Sequence, residues 1–179
     1  DPKVKKISIT IYRLSKLSKV ASALINAARN GKKVTVQIEL QARFDESANI
    51  RYAKEMQSQG IKLIFGSPNL KVHSKICLIE RLEGGNLKKY GFISTGNFNE
   101  STAKVYTDLT LFTSNSKILD EVSNVFNFFN ANYKKYIFKN LFRILINLVI
   151  NKIKSSTENV DIVILMSNGD TTHIINKLK

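Results

Sequence analysis

The sequence has one cysteine and no long apolar run, and each shortage excludes a class of protein. Cys77 has no partner for an intramolecular disulfide, and its apolar neighbours Ile76 and Leu78 predict a buried, unreactive thiol. No apolar stretch has the length of a membrane-spanning helix, and the opening residues contain no signal-peptide core. We therefore expect a cytoplasmic protein without a transmembrane segment, with peripheral contact to a membrane as the alternative.

Acidic residues are also scarce, because 28 lysines and arginines stand against 14 aspartates and glutamates, a formal net charge of +14. Such an excess favours a polyanionic partner: nucleic acid, an anionic membrane or a phosphate-rich substrate. A solvated basic surface without a partner is the other interpretation. The sequence contains no HExxH, CxxC, Walker A or GxGxxG pattern, which argues against the metal-binding and nucleotide-binding folds that these motifs mark.

Alternating and helical apolar patterns predict an α/β protein. In order, strand, helix, strand, helix and strand are predicted over 7–12, 20–30, 34–40, 45–59 and 61–65. This order favours parallel pairing with right-handed crossovers. Strands over 74–80 and 90–94 are predicted to flank a hairpin turn at 83–86, and a strand over 108–113 and a helix over 118–130 complete one mixed sheet.

A second unit is predicted to begin after Tyr136. Residues 141–153 are apolar except for a narrow polar stripe, which predicts a mostly buried helix. A strand over 161–166 and a helix over 171–179 are predicted to follow. We therefore expect one domain over 1–136 and the beginning of another over 137–179, incomplete at the last residue.

The clearest chemical motif pairs His73 with Lys75 and is followed further along the chain by Gly96 and Asn97. Two residues apart on a strand, His73 and Lys75 are predicted to point to the same face. A neutral imidazole can attack phosphorus, and a lysine neutralises phosphate oxygens. Gly96 permits close approach of the backbone to a ligand, and Asn97 can donate to an oxyanion. A structural histidine and a plain turn are the alternatives.

Arg13 and Arg43 follow the first two predicted strands, at the carboxyl ends where open α/β sheets bind ligands. Guanidinium groups suit phosphate oxygens, although both could be solvated surface charges. Tyr106 could stack on a base, but from the residues alone it is better explained as a core aromatic. We assign no role to His173.

Several long motifs, in order, resemble the histidine-autophosphorylating polyphosphate kinases of bacteria, and the resemblance runs from about Ile7 to Phe138. They are Gln41-Ala-Arg-Phe-Asp-Glu-Ser-Ala-Asn-Ile50, Leu63-Ile-Phe-Gly66, Leu70-Lys-Val-His-Ser-Lys75, and the stretch from Ser94-Thr-Gly-Asn-Phe-Asn99 through Ala103-Lys-Val-Tyr-Thr-Asp-Leu-Thr-Leu-Phe-Thr113. The resemblance implies a phospholipase D-like fold: a mixed sheet flanked by helices, followed by the truncated start of a second similar domain.

The resemblance further implies reversible transfer of the terminal phosphate of ATP to inorganic polyphosphate. His73 matches the histidine that becomes phosphorylated, with Lys75 as its catalytic neighbour. Arg13 and Arg43 match positions that the family associates with phosphate and magnesium, and Tyr106 matches a position that contacts ATP. Mg²⁺ is therefore the expected cofactor, ATP, ADP and polyphosphate are the expected partners, and a homo-oligomer is expected for the full-length enzyme. No specific nucleic acid partner is expected.

Glu80 occupies the acid position of the phospholipase D superfamily, an acid that polyphosphate kinases commonly lack. The match with the family is incomplete in two respects. The chain covers only the opening of the second of two related domains, so the second active-site histidine of the family has no counterpart in these residues, and the connection over 138–142 is shorter than the family's. We therefore expect little kinase turnover from this chain alone. A phospholipase D-type phosphodiesterase or nuclease, and a basic polyanion-binding module, are the alternative functions.

Overall fold

The computed structural model describes residues 1–40, 46–66, 72–131 and 133–141, and these contain six strands and three α-helices. The chain divides into two compact units, Asp1–Ile137 and Phe138–Lys179, and every element named here belongs to the first. In chain order they are β1 (Val4–Ile11), α1 (Lys19–Arg29), β2 (Lys33–Ile38), α2 (Glu46–Ser58), β3 (Lys62–Phe65), β4 (Lys75–Glu83), β5 (Asn86–Ser94), a 3₁₀ turn (Thr102–Lys104), β6 (Thr110–Thr113) and α3 (Ser116–Asn130).

The strands form one sheet in the order β3-β2-β1-β4-β5-β6. β1, β2 and β3 pair in parallel, whereas β4 pairs antiparallel with β1, and β5 and β6 continue antiparallel. The predicted mixed α/β sheet is therefore confirmed. Because β1 and β4 run in opposite directions, the carboxyl end of β1 and the amino end of β4 lie at the same edge of the sheet.

One face of the sheet is covered by α1 and α2, and the sequence pattern explains why. In β2 the alternating residues Val34, Val36 and Ile38 are buried in the main hydrophobic cluster. Helix α1 begins where the Ser18 hydroxyl accepts a hydrogen bond from Ala21 N at 3.2 Å, a standard N-cap. The parallel strands and their two crossover helices thereby share one apolar layer.

The opposite face packs against α3. At Gly91 in β5, an added Cβ would lie 2.8 Å from Leu119 Cδ2 of α3 and 2.3 Å from the Cys77 carbonyl oxygen. A side chain at Gly91 would therefore push the helix away from the sheet. Cys77 itself is buried, and burial raises the pKa of its thiol to about 12, which confirms the prediction of an unreactive cysteine.

The predicted hairpin turn is confirmed, and its strands are longer than predicted. Glu83 faces Asn86 across a two-residue turn, in which Gly84 and Gly85 have φ of 56° and 82°. Positive φ at both positions is the geometry of a type I′ turn, which matches the twist of the flanking strands. The charged outer end of the hairpin lacks apolar alternation, and for that reason the pattern predicted strands that end too early.

The elements predicted over 141–153, 161–166 and 171–179 lie outside the described residues, so the domain predicted over 137–179 stays a prediction. Within the described ranges, no helix is long and apolar enough to cross a membrane.

Candidate active site

A cavity of about 380 Å³ opens at the sheet edge where β1 ends and β4 begins. The lining combines a histidine, two cations, one carboxylate, two tyrosines and small polar residues: Tyr12, Arg13, His73, Lys75, Thr95, Gly96, Asn97, Thr102, Tyr106 and Asp108. The structure therefore brings together five of the six residues predicted from the sequence. The sixth, Arg43, lies outside the described residues.

Arg13 is held at the cavity by a buried asparagine of α2. Asn49 Nδ2 donates to the carbonyl oxygens of Tyr12 at 2.9 Å and Glu39 at 2.7 Å, and its Oδ1 accepts from Leu14 N at 3.0 Å. These three hydrogen bonds fix the backbone on both sides of Arg13 and tie the ends of β1 and β2 together. A fully buried side chain with all these partners gives the loop one conformation.

His73 and Lys75 are in direct contact. Lys75 Nζ lies 2.9 Å from His73 Nδ1 and 3.0 Å from His73 Nε2, so it can donate to whichever nitrogen carries the lone pair. The predicted strand position of His73 is wrong, because β4 begins only at Lys75. The turn before the strand is set instead by Thr10, whose hydroxyl donates to Ser74 O at 2.7 Å and accepts from Ile76 N at 3.0 Å.

The surroundings of Lys75 change the pKa of its ammonium group. Burial lowers the pKa of Lys75 to about 8, the nearby Asp108 carboxylate opposes this shift, and the Arg13 guanidinium adds to it. The side chain is 5% exposed. Below pH 8 the cavity therefore contains two adjacent cations, an arrangement that attracts a phosphate group strongly.

Asp108 was missed by the sequence analysis, although it lines the cavity. Its Oδ1 accepts from Thr95 Oγ1 at 3.1 Å, and Thr95 Oγ1 in turn accepts from Leu109 N at 3.0 Å. Gly96 is packed directly against the same carboxylate, since an added Cβ would lie 2.1 Å from Asp108 Oδ2. The glycine thus makes room for a side chain of the protein itself.

The two asparagines after Gly96 have different surroundings. Asn97 lines the cavity, and its Oδ1 is buried without a hydrogen-bond partner among the residues that the structure describes. Asn99 is buried beneath the loop, where its Oδ1 accepts from Ser101 N at 2.9 Å and Thr102 N at 3.1 Å. Asn97 therefore has an unsatisfied amide oxygen beside the cavity, whereas Asn99 shapes the loop.

Tyr106 lies at the cavity, and the residue-based prediction that it belongs to the core is wrong. It is 65% exposed and follows the 3₁₀ turn, where its N–H donates to Thr102 O at 3.1 Å. The turn directs the chain across the opening of the cavity. Glu80, by contrast, forms an ion pair with Lys6 at 2.9 Å and is absent from the cavity lining, so its match to the superfamily acid is incidental.

The cavity offers few side chains that could coordinate Mg²⁺. The described residues contain no group of three or more His, Cys, Asp or Glu side chains that could hold a metal. A guanidinium has no lone pair for a metal, so Arg13 cannot be a direct ligand. Asp108 is the single carboxylate of the lining. This fits a magnesium ion that is held by one carboxylate together with substrate phosphates and water.

Comparisons with known proteins show which family the chain resembles. Residues 1–135 match the family model described as polyphosphate kinase C-terminal domain 1. The polyphosphate kinase of Yersinia pestis is 51% identical over 141 residues, which are 79% of this chain and 20% of that protein. The polyphosphate kinase of Escherichia coli K12 is 51% identical over 138 residues, which are 77% of this chain and 20% of that protein.

A solved structure is also similar. The crystal structure of polyphosphate kinase from Porphyromonas gingivalis is 37% identical with a TM-score of 0.66, and the match covers 87% of this chain and 27% of that one. The chain spans about a fifth of the length of the curated relatives it matches.

Proposed function

Since this chain belongs to the polyphosphate kinase C-terminal domain 1 family, we propose that it forms the histidine-bearing part of an ATP–polyphosphate phosphotransferase. The observation that carries the proposal is the cavity in which His73 and Lys75 are in contact beside Arg13. A nucleophile next to two cations is what phosphoryl transfer needs, because the chemistry depends on positioning and on neutralising charge.

In the first step, a ring nitrogen of His73 attacks the terminal phosphorus of ATP. The bond from phosphorus to nitrogen forms while the bond to the bridging oxygen breaks, and ADP leaves. The attack needs an unprotonated ring nitrogen, and it begins when the Lys75 ammonium, 2.9 Å from Nδ1, turns to an oxygen of the incoming phosphate. Lys75 and Arg13 stabilise the oxygens of the transferring phosphate.

In the second step, a terminal oxygen of polyphosphate attacks the phosphohistidine. The nitrogen–phosphorus bond breaks, the polymer gains one phosphate, and the imidazole returns to its starting form. The reverse direction makes ATP from polyphosphate through the same intermediate. The net charge of +14 favours such a polyanionic substrate.

The remaining residues fit the recognition of nucleotide and metal. Tyr106 offers an exposed ring at the cavity for contact with ATP, and Asn97 offers an unpartnered amide oxygen. Mg²⁺ would neutralise part of the triphosphate charge, with Asp108 as its protein ligand. Arg43 is proposed to add a second guanidinium, as the family match implies. Homo-oligomerisation and peripheral membrane contact stay predictions.

The phosphodiesterase alternative receives no support from the site. Glu80, the residue at the superfamily acid position, is paired with Lys6 outside the cavity. A polyanion-binding module describes the charge of the chain but leaves the contact between His73 and Lys75 without a purpose.

The test replaces the matching 138-residue segment of the Escherichia coli polyphosphate kinase with this sequence. After exposure to radiolabelled ATP, we expect the graft to carry an acid-labile, base-stable label, as a phosphohistidine does. The variant His73→Gln should lose the label. The matched control is Lys117→Gln, which changes an exposed residue outside the cavity lining and should keep the label. Full labelling of the His73→Gln graft would show that another residue is the nucleophile.

A further inference from the structure

The ring of Tyr12 contacts the imidazole and both cations of the cavity, although no sequence motif singles it out. The ring centroids of Tyr12 and His73 are 4.5 Å apart, with the planes at 79°, an edge-to-face pair. The same tyrosine centroid lies 5.5 Å from Lys75 Nζ and 5.5 Å from Arg13 Cζ. Three groups that would handle phosphate therefore share one aromatic neighbour.

Electrostatic attraction explains why the Tyr12 ring can contact the imidazole and both cations. The face of an aromatic ring is negative and its edge positive, so a ring attracts cations near its face and pairs with another ring edge to face. Arg13 and Lys75 repel each other, since both are positive. The negative face of the Tyr12 ring, 5.5 Å from each cation, offsets part of this repulsion and, unlike the Asp108 carboxylate, carries no full charge that would repel phosphate.

Tyr12 is itself held in place by the surrounding residues, so its ring can fix the position of the side chains that it contacts. It directly follows β1 and is 7% exposed, and its carbonyl oxygen accepts from the buried Asn49 at 2.9 Å. His73 precedes β4, and its side chain lines the cavity. The edge-to-face contact with Tyr12 is one of the contacts that orient its ring.

We propose that Tyr12 is a positioning residue, whose ring sets the direction from which His73 attacks phosphorus and keeps Lys75 and Arg13 beside it. The role in the reaction rests on the proposed function, whereas the contact between the two rings does not. The two parts are tested separately.

The contact is tested by NMR on the 179-residue chain, which has only two histidines, so that the His73 signals are identified by their loss in His73→Gln. The ring current of a contacting aromatic displaces the imidazole proton signals. We expect Tyr12→Leu to shift the His73 signals, and Tyr12→Phe to keep them near their original position. Unchanged His73 signals in Tyr12→Leu would overturn the proposal.

The role in the reaction is tested in the grafted enzyme by single-turnover labelling with ATP. Tyr12→Leu should slow phosphohistidine formation by up to about 100-fold, the cost of a misplaced reacting group. The ATP concentration that gives half the maximal rate should change little, because the ring does not bind the nucleotide. Tyr12→Phe should restore the rate. Equal rates in Tyr12→Leu and the unmodified graft, or no rescue by phenylalanine, would contradict the proposal.

Tyr52→Leu is the matched control for a purely structural effect. Tyr52 is 6% exposed and has the Arg51 guanidinium 4.5 Å from its ring, but its hydroxyl accepts from Ser18 N and it does not line the cavity. Its loss should lower stability and leave the labelling rate of the folded enzyme unchanged. If the unmodified graft takes no label while Tyr12→Leu still shifts the His73 signals, the proposed function fails and the ring contact stands.

Discussion

Replacing Gly96 with alanine measures how closely the loops of the cavity are packed. The added methyl carbon would lie 2.1 Å from Asp108 Oδ2 and 2.2 Å from Asp108 Cγ. Both distances are far inside the about 3.5–4.0 Å at which non-bonded carbon atoms attract. Gly96 is not among the glycines with positive φ, so backbone strain adds nothing. The whole effect should come from the displaced carboxylate.

The expected loss follows from the cost of overpacking. Forcing an extra carbon into a packed core destabilises a protein by about 1–3 kcal/mol, and because the Asp108 side chain is exposed and can turn aside, the cost should lie at the lower end of that range. In a chain of this size each kcal/mol lowers Tm by about 2–4 °C, so Gly96→Ala should lower Tm by roughly 2–4 °C in thermal unfolding followed by circular dichroism.

Two variants of Asp108 identify the source of the loss. Asp108→Gly removes all three of the clashing atoms, so in that background Gly96→Ala should cost little. Asp108→Ala keeps a Cβ at 2.7 Å and should relieve the clash only in part. A Gly96→Ala variant that melts like the unmodified chain, or one that loses as much in the Asp108→Gly background, would refute the reasoning.

Two further predictions concern pH. Burial lowers the pKa of Lys75 from 10.5 to about 8, so between these values the unfolded chain binds more protons and the free energy of unfolding should rise with pH. Urea titrations should show this rise in the unmodified chain relative to Lys75→Met, and a constant difference between the two would contradict it. For Glu100, burial raises the pKa, but hydrogen bonds from Ser15 Oγ at 2.5 Å and Lys19 N at 2.7 Å outweigh burial and leave the pKa lowered. Glu100→Gln should therefore destabilise the chain near neutral pH, and the deficit should vanish as the pH falls through the pKa of Glu100 in the folded state. The exposed Glu55→Gln is the control, and a deficit that persists in acid would count against the role of the carboxylate.

Local pattern was sufficient for most of the fold. The alternation in β2 and the Asn30-Gly31 end of α1 depend on neighbours within a few residues, so the sequence predicts both. The place of Arg13 at a ligand-binding edge also followed from a general rule, that open α/β sheets bind ligands at the carboxyl ends of their strands, whereas its meeting with His73 depends on the antiparallel pairing of β4 with β1.

Contacts between segments that are distant in sequence could not be predicted from local patterns. Asp108 reaches the cavity because Thr95 and Leu109 pair through their backbones, Thr95 N donating to Leu109 O at 3.0 Å, and no local pattern reports such a register. The net charge of +14 also gave no reason to expect a carboxylate in a site that binds anions. Tyr12 was equally hidden, and Tyr106 was found only through the family resemblance, since burial of an aromatic depends on what packs against it, not on its neighbours in sequence.

The turn of the long β4–β5 hairpin lies far from the cavity. Its glycine turn is nine residues along β4 from Lys75, which corresponds to about 30 Å of extended strand. Residues added at that tip should leave the cavity undisturbed, so the tip is a natural attachment point for a fluorescent reporter.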